Sequence, residues 1–179
     1  MKIFVSPHND DETLWGAFTL LRESPLVVVV FDGHIQASRG IQVTWKERRE
    51  ETEAACQILG VSVGFLGFRD DDRAVIPETI LGRMGQFDEA YIPALEVGGH
   101  AQHNLVAAAF EGKANVKRYL TYTVAGKSRS ENEVPILRSE WIDVKHRAMA
   151  CYRSQMNLDP RMGCHHHFLN DIREYYSSV

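Results

Sequence analysis

Leu26-Val27-Val28-Val29-Val30-Phe31 is an unbroken apolar run, most of it β-branched. Neither alternate set of side chains in it is polar, so a strand built from it has no face to give to water. β-Branched residues favour strands. A strand buried on both sides belongs at the centre of a parallel sheet with helices covering both faces. The run is far too short to span a bilayer, which takes about 20 apolar residues in a helix. It points to a layered α/β fold.

The rest of the chain alternates in the way such a fold requires. Strands are predicted at Lys2 to Ser6, Val61 to Leu66, Glu89 to Ala94 and Arg118 to Val124, with a short extended piece at Trp141 to Val144. Leu14, Ala17, Phe18 and Leu21 have helical spacing within Thr13 to Arg22. Further helices are predicted over Val43 to Leu59 with Gly60 as its stop, Pro77 to Phe87, Asn104 to Glu111, Lys145 to Met156 and Phe168 to Tyr176. Gly126 to Arg138 reads as a long polar loop. Strands alternating with helices imply right-handed crossovers and a mostly parallel, Rossmann-like three-layer sandwich. The 179 residues fit one domain, 1–179, and 44% hydrophobic content is enough for a sizeable core.

A formal net charge of -4 argues against nucleic-acid binding through overall positive charge. Cys56, Cys151 and Cys164 are odd in number and lack metal-ligand spacing, so no disulfide framework is expected. The N-terminus opens straight into a strand without the pattern of a signal peptide. The expectation is a cytoplasmic protein with no membrane segment; a homo-oligomer is compatible with the sequence.

Chemistry concentrates in Ser6-Pro7-His8-Asn9-Asp10-Asp11-Glu12, where the first strand should end. In open α/β sheets ligands bind outside the carboxyl ends of strands. An imidazole and a carboxylate three residues apart can share one divalent ion, which leaves the carboxylate between them as a candidate base. A second cluster, Gly98-Gly99-His100-Ala101-Gln102-His103, follows the fourth strand and opens a helix. Its histidines are three residues apart and share a helical face. His8, Asp11 and one of this pair would give the three protein ligands typical of a catalytic zinc. A lone His-x-x-His is more often a helix start than a metal site; the His/Asp pair at another strand end reverses those odds.

These motifs resemble the LmbE-like, or PIG-L, family of zinc-dependent N-acetylglucosaminyl deacetylases, whose motifs are His-Pro-Asp-Asp-Glu and His-x-x-His. Arg48, Glu51, Ala55, Leu59 and Gly60 fall in the family's Arg-x-x-Glu-x-x-x-Ala-x-x-x-Leu-Gly pattern. Lys145, Ala148, Tyr152, Ser154 and Gln155 match its Lys-x-x-Ala…Tyr-x-Ser-Gln helix. Asn9 stands where the family motif has proline. The resemblance implies that His8, Asp11 and His103 bind Zn2+, with Fe2+ as another candidate ion. It makes Asp10 the general base towards water and His100 the group that stabilises the oxyanion or protonates the leaving amine. Arg48 would lie near sugar hydroxyls, with Asp70 or Asp71 at the pocket. The implied substrate is a small N-acetylated sugar or conjugate. The alternatives are cleavage of another small-molecule amide and a non-catalytic sugar- or nucleotide-binding module.

Other conspicuous residues have plainer readings. Arg69 to Arg73 is as well explained by a solvated loop as by a pocket edge. Glu12 supports the turn. His34, His146 and the His165-His166-His167 tract are expected to be surface or structural, and Trp15 to be core or pocket wall.

Overall fold

The apolar run forms β2 (Leu26–Phe31), flanked by parallel partners on both sides, β1 (Lys2–Ser6) and β3 (Val63–Phe68). The computed structural model describes residues 1–33, 43–72, 74–121, 132–156 and 173–177. β4 (Glu89–Pro93) pairs in parallel with the other edge of β1, and β5 (Val116–Tyr119) with β4. β6 (Asn132–Glu133) and β7 (Tyr175–Tyr176) complete the sheet in antiparallel fashion, in the order β3-β2-β1-β4-β5-β7-β6.

Side-chain alternation along the strands builds two cores, one on each face. Phe4, Val27 and Val29 pack with Leu14, Ala17 and Leu20 of α1 (Asp11–Glu23), Ala55 and Leu59 of α2 (Trp45–Leu59), and Ala148 and Met149 of α5 (Glu140–Met149). Ile3, Val5, Val28 and Val30 face the other way, towards Ile80 of α3 (Pro77–Arg83) and Val106 and Ala109 of α4 (Ala101–Ala109). A short α6 (Arg153–Met156) follows α5. The molecule is therefore a single three-layer α/β domain with a mostly parallel sheet. Fully burying each of the larger of these side chains, Val, Leu, Ile, Phe or Met, contributes about 1.5–3 kcal/mol. Among the described residues, no helix is long and apolar enough to cross a membrane.

The winding reverses between β1 and β4. After β1 the chain enters α1 on one face; after β4 it enters α4 on the other. Loops that part to opposite faces leave a crevice at the strand ends, the usual ligand position in such sheets. Both sequence motifs sit there.

Three expectations are corrected. Trp141 to Val144 is helical, as the first half of α5, because Trp141, Lys145, Ala148 and Met149 are buried at helical spacing and outweigh the local β-branched residues. α4 starts at Ala101 rather than Asn104. The closing helix expected over 168–176 does not reach its end: Tyr175–Tyr176 is a strand, with Tyr176 paired to Tyr119 and its hydroxyl 2.6 Å from Thr19 Oγ1. Residues 168–172 lie outside the described residues, as do His34, Cys164, His165 to His167 and residues 126–131 of the expected loop; Asn132–Glu133 of that loop form β6.

Candidate metal centre

The centre is built on a tight turn between β1 and α1. Asp10 is the N-cap of α1 and has φ 115°, a region that residues with a Cβ rarely adopt. The buried surroundings fix it there. Its amide donates to Glu12 Oε2 (3.1 Å) and its carbonyl accepts from Thr13 and Leu14. Arg48 Nη2 donates both to Asp10 Oδ2 (2.9 Å) and to the Asn9 carbonyl. Glu12, fully buried, accepts from Ser6 Oγ, Thr13 Oγ1 and the Tyr152 hydroxyl. Burial pushes the Glu12 carboxyl up, only partly offset by its hydrogen bonds from Tyr152 and Thr13. Glu12 thus supports the turn, as expected.

From this turn His8 and Asp11 face His103 of α4. Asp11 Oδ2 lies 3.1 Å from His8 Nδ1 and 3.1 Å from His103 Nε2, and those two nitrogens are 3.2 Å apart. His100 joins them at the N-cap of α4, its ring edge-on to His8 with centroids 4.9 Å apart. Ligand atoms of His8, His100 and His103 all lie within 4.8 Å of one another, so this group could hold a metal ion.

The partners of these side chains fix which atoms face inward. Gln102 Nε2 donates to the Asp70 carbonyl (3.1 Å), which turns Gln102 Oε1 towards His8 Nε2, 2.7 Å away. An amide oxygen only accepts, so His8 Nε2 carries the proton. In the neutral ring, Nδ1 then presents its lone pair to the cluster. Trp15 Nε1 donates to Asp11 Oδ1 (3.1 Å), and the His8 amide to Asp11 Oδ2 (2.9 Å). Thr121 Oγ1 stands 3.4 Å from His103 Nδ1. Such outer partners orient metal-binding histidines and carboxylates.

The electrostatics suit a cation. Burial would raise the Asp11 carboxyl, but the charge and hydrogen bonds of His103 and His8 outweigh it and hold it well below the usual carboxylate range. Burial would lower His8, yet the hydrogen bond and charge of Asp11 push it up to about 9. In the metal-free protein, protons thus lie where these donors would grip an ion.

The remaining predicted residues take other places. Arg48 is buried and directs its guanidinium inward, to Asn9, Asp10, Glu51 and Ser154. The Asp70 carboxylate accepts from the Gly33 amide (3.1 Å). Asp71 pairs with Arg69 at the surface. Four residues of the centre carried no such role in the sequence reading: Gln102, Trp15, Thr121 and Tyr152. Tyr152 stands in a recognised motif, and Trp15 meets Asp11 one turn back on the same helix; nothing local marks Gln102 and Thr121, whose partners come from distant parts of the chain. The glycines before His100 have a specific cause. Gly98 has φ +78°, and a Cβ on Gly99 would stand 2.9 Å from Glu96 Cβ and 3.0 Å from its carbonyl oxygen.

Comparison with family models and with curated proteins finds no match. Solved structures do match. N,N'-diacetylchitobiose deacetylase from Pyrococcus horikoshii is 19% identical, with 98% of this chain and 82% of that one covered and a TM-score of 0.73. The zinc-inhibited form of teicoplanin deacetylase is 20% identical, with 87% and 84% covered and a TM-score of 0.70. A 4-carboxy-2-hydroxymuconate hydratase from Pseudomonas putida KT2440 is also 20% identical, with 87% and 80% covered and a TM-score of 0.64. The chain has the fold of the LmbE-like deacetylases, and that fold also carries a hydratase.

Proposed function

We propose that the chain is a metal-dependent N-deacetylase acting on a small N-acetylated sugar or conjugate, with His8, Asp11 and His103 holding one divalent ion. The observation that carries this reading is the triangle of His8 Nδ1, Asp11 Oδ2 and His103 Nε2, with sides of 3.1, 3.1 and 3.2 Å. A tetrahedral zinc with bonds of about 2.0–2.2 Å separates its ligands by about 3.3–3.6 Å. The three atoms need to spread by only a few tenths of an ångström. The donor set, two imidazoles and a carboxylate, suits Zn2+ and also Fe2+.

An ion held by His8, Asp11 and His103 would supply polarisation of an amide carbonyl and a more acidic water. The protein's own groups handle the protons. Asp10, one residue before the donor Asp11 and fixed at Oδ2 by Arg48, takes a proton from the attacking water and delivers it to the departing nitrogen. His100, exposed beside His8, donates to the carbonyl oxygen as negative charge develops on it. The action of a structural neighbour on N,N'-diacetylchitobiose supports an N-acetylglucosamine-type substrate.

The test is an amine-release screen of N-acetylated sugars and conjugates, with and without chelator, alongside Asp10→Asn. Acetate and free amine should appear in equal amounts, vanish with chelator and return with a divalent ion. Asp10→Asn should keep the ion and lose about 10²–10⁴-fold in turnover. Near-full activity of Asp10→Asn would remove the base assignment. Failure of the metal-loaded protein to release amine, together with water addition to a carbon–carbon double bond, would favour the chemistry of the hydratase neighbour.

A further inference from the structure

We propose that Asn9 and Thr52 form a positioning pair that sets the spacing between the His8 and Asp11 donor atoms, so that α2, which supplies no donor itself, tunes the ion site. This rests on the metal reading above.

Asn9 lies between the two donors in sequence, and both Asn9 and Thr52 are fully buried. The Thr52 hydroxyl shares its proton between Asn9 Oδ1 (2.9 Å) and the Arg48 carbonyl (3.0 Å). Asn9 Nδ2 reaches the Phe31 carbonyl at the end of β2 (3.5 Å). Arg48 and Thr52 are four residues apart, on one face of α2. One turn of that helix grips the Asn9 carbonyl and the Asp10 carboxylate through Arg48, and the next grips the Asn9 side chain through Thr52.

This grip bears on a strained residue. A non-glycine residue at a sparsely populated φ, here 115° at Asp10, costs about 1–3 kcal/mol and persists only where its neighbours over-determine it. Relaxing residues 9 and 10 would swing His8 relative to Asp11, whose Oδ2 is tied to the His8 amide as well as to its ring. Stability alone does not call for the pair, because replacing both members of a buried hydrogen bond by apolar groups of similar shape can be nearly neutral. Its expected effect is therefore on donor spacing.

The test uses the full chain and Co2+ alone as probe, read by chelator competition and by the visible absorption of the bound ion. Thr52→Val and Asn9→Ala should each weaken Co2+ binding about 10–100-fold and shift its absorption bands. The double variant should be no worse than either single one. Thr52→Ser, which keeps the hydroxyl, should bind as the unsubstituted protein does. Far-UV circular dichroism without metal verifies folding, and should Thr52→Val not fold, Asn9→Ala and Thr52→Ser carry the comparison. Unchanged affinity and spectrum in Asn9→Ala and Thr52→Val would overturn the proposal, as would equal losses in Thr52→Ser and Thr52→Val. No Co2+ binding by the unsubstituted chain would instead overturn the metal reading, and the pair's role with it.

Discussion

Lys145 and Glu174 form a fully enclosed ion pair, Nζ to Oε1 at 2.7 Å, placed against the middle of α1. Lys145 also donates to the Leu14 carbonyl (2.8 Å), while the Glu174 carboxylate accepts from the Phe18 amide (3.1 Å). Leu14 and Phe18 are four residues apart, the pair that helical geometry would bond to each other. One buried ion pair thus serves both groups of a single rung and ties α5 and the approach to β7 onto the helix that begins at the metal turn. Lys145→Met should destabilise the protein by about 3–5 kcal/mol, because it leaves a buried carboxylate without its cation. Denaturant unfolding measures this; a loss under 1 kcal/mol would mean the pair contributes little.

Metal binding should compete with protons at His8. In the metal-free protein its pKa, about 9, stands above the ordinary 6.5, so protonation favours the fold. That stabilisation is complete below pH 6.5 and is lost as pH rises through about 9. An ion must displace the proton, so its affinity should climb across the same window, with release of about one proton per ion near pH 7.5. Calorimetry in buffers of different ionisation enthalpy counts that proton. Binding without proton release would show that His8 does not ligate through Nδ1.

Gln102 should matter to the ion without touching it. Gln102→Leu removes the acceptor that fixes the His8 tautomer and should weaken Zn2+ binding about 10–100-fold. Chelator competition reads this directly. Wild-type affinity in the variant would mean that the His8 ring is held by other contacts.

Gly16 lets α1 lie close on β1. A Cβ there would run into the Phe4 ring, which is fully buried and stacked on Tyr119 with centroids 4.7 Å apart. Gly16→Ala should therefore cost about 1–3 kcal/mol through overpacking, despite alanine's better helix propensity. A thermal melt showing a gain instead would mean that the Phe4 ring shifts freely.

Periodicity made the parallel sheet legible, because the apolar run at Leu26 to Phe31 permits hardly anything but a doubly covered strand. Site position was legible as well: two polar clusters each followed a predicted strand, and strand ends converge. What periodicity could not reveal was direction. The resemblance puts Arg48 near sugar hydroxyls, and nothing in the sequence shows that its guanidinium turns inward to the Asn9 carbonyl and the Asp10 carboxylate. Trp141 to Val144 reads as extended because strand propensity is local, whereas burial of Trp141 on a helical face is tertiary. Gln102 has no signature at all, since its role comes from His8 and from the Asp70 carbonyl on another loop.

The reversal of winding between β1 and β4 puts His8 and Asp11 at the entrance to one helical layer and His103 within the other. An ion gripped by all three would act as a rivet at the strand ends, reinforcing the contact that Asp11 of α1 makes with His103 of α4. Occupancy then adds resistance to unfolding that grows as RT ln(1 + [ion]/Kd). The melting temperature should rise with ion concentration before any substrate is present, giving a measure of the site that is independent of catalysis.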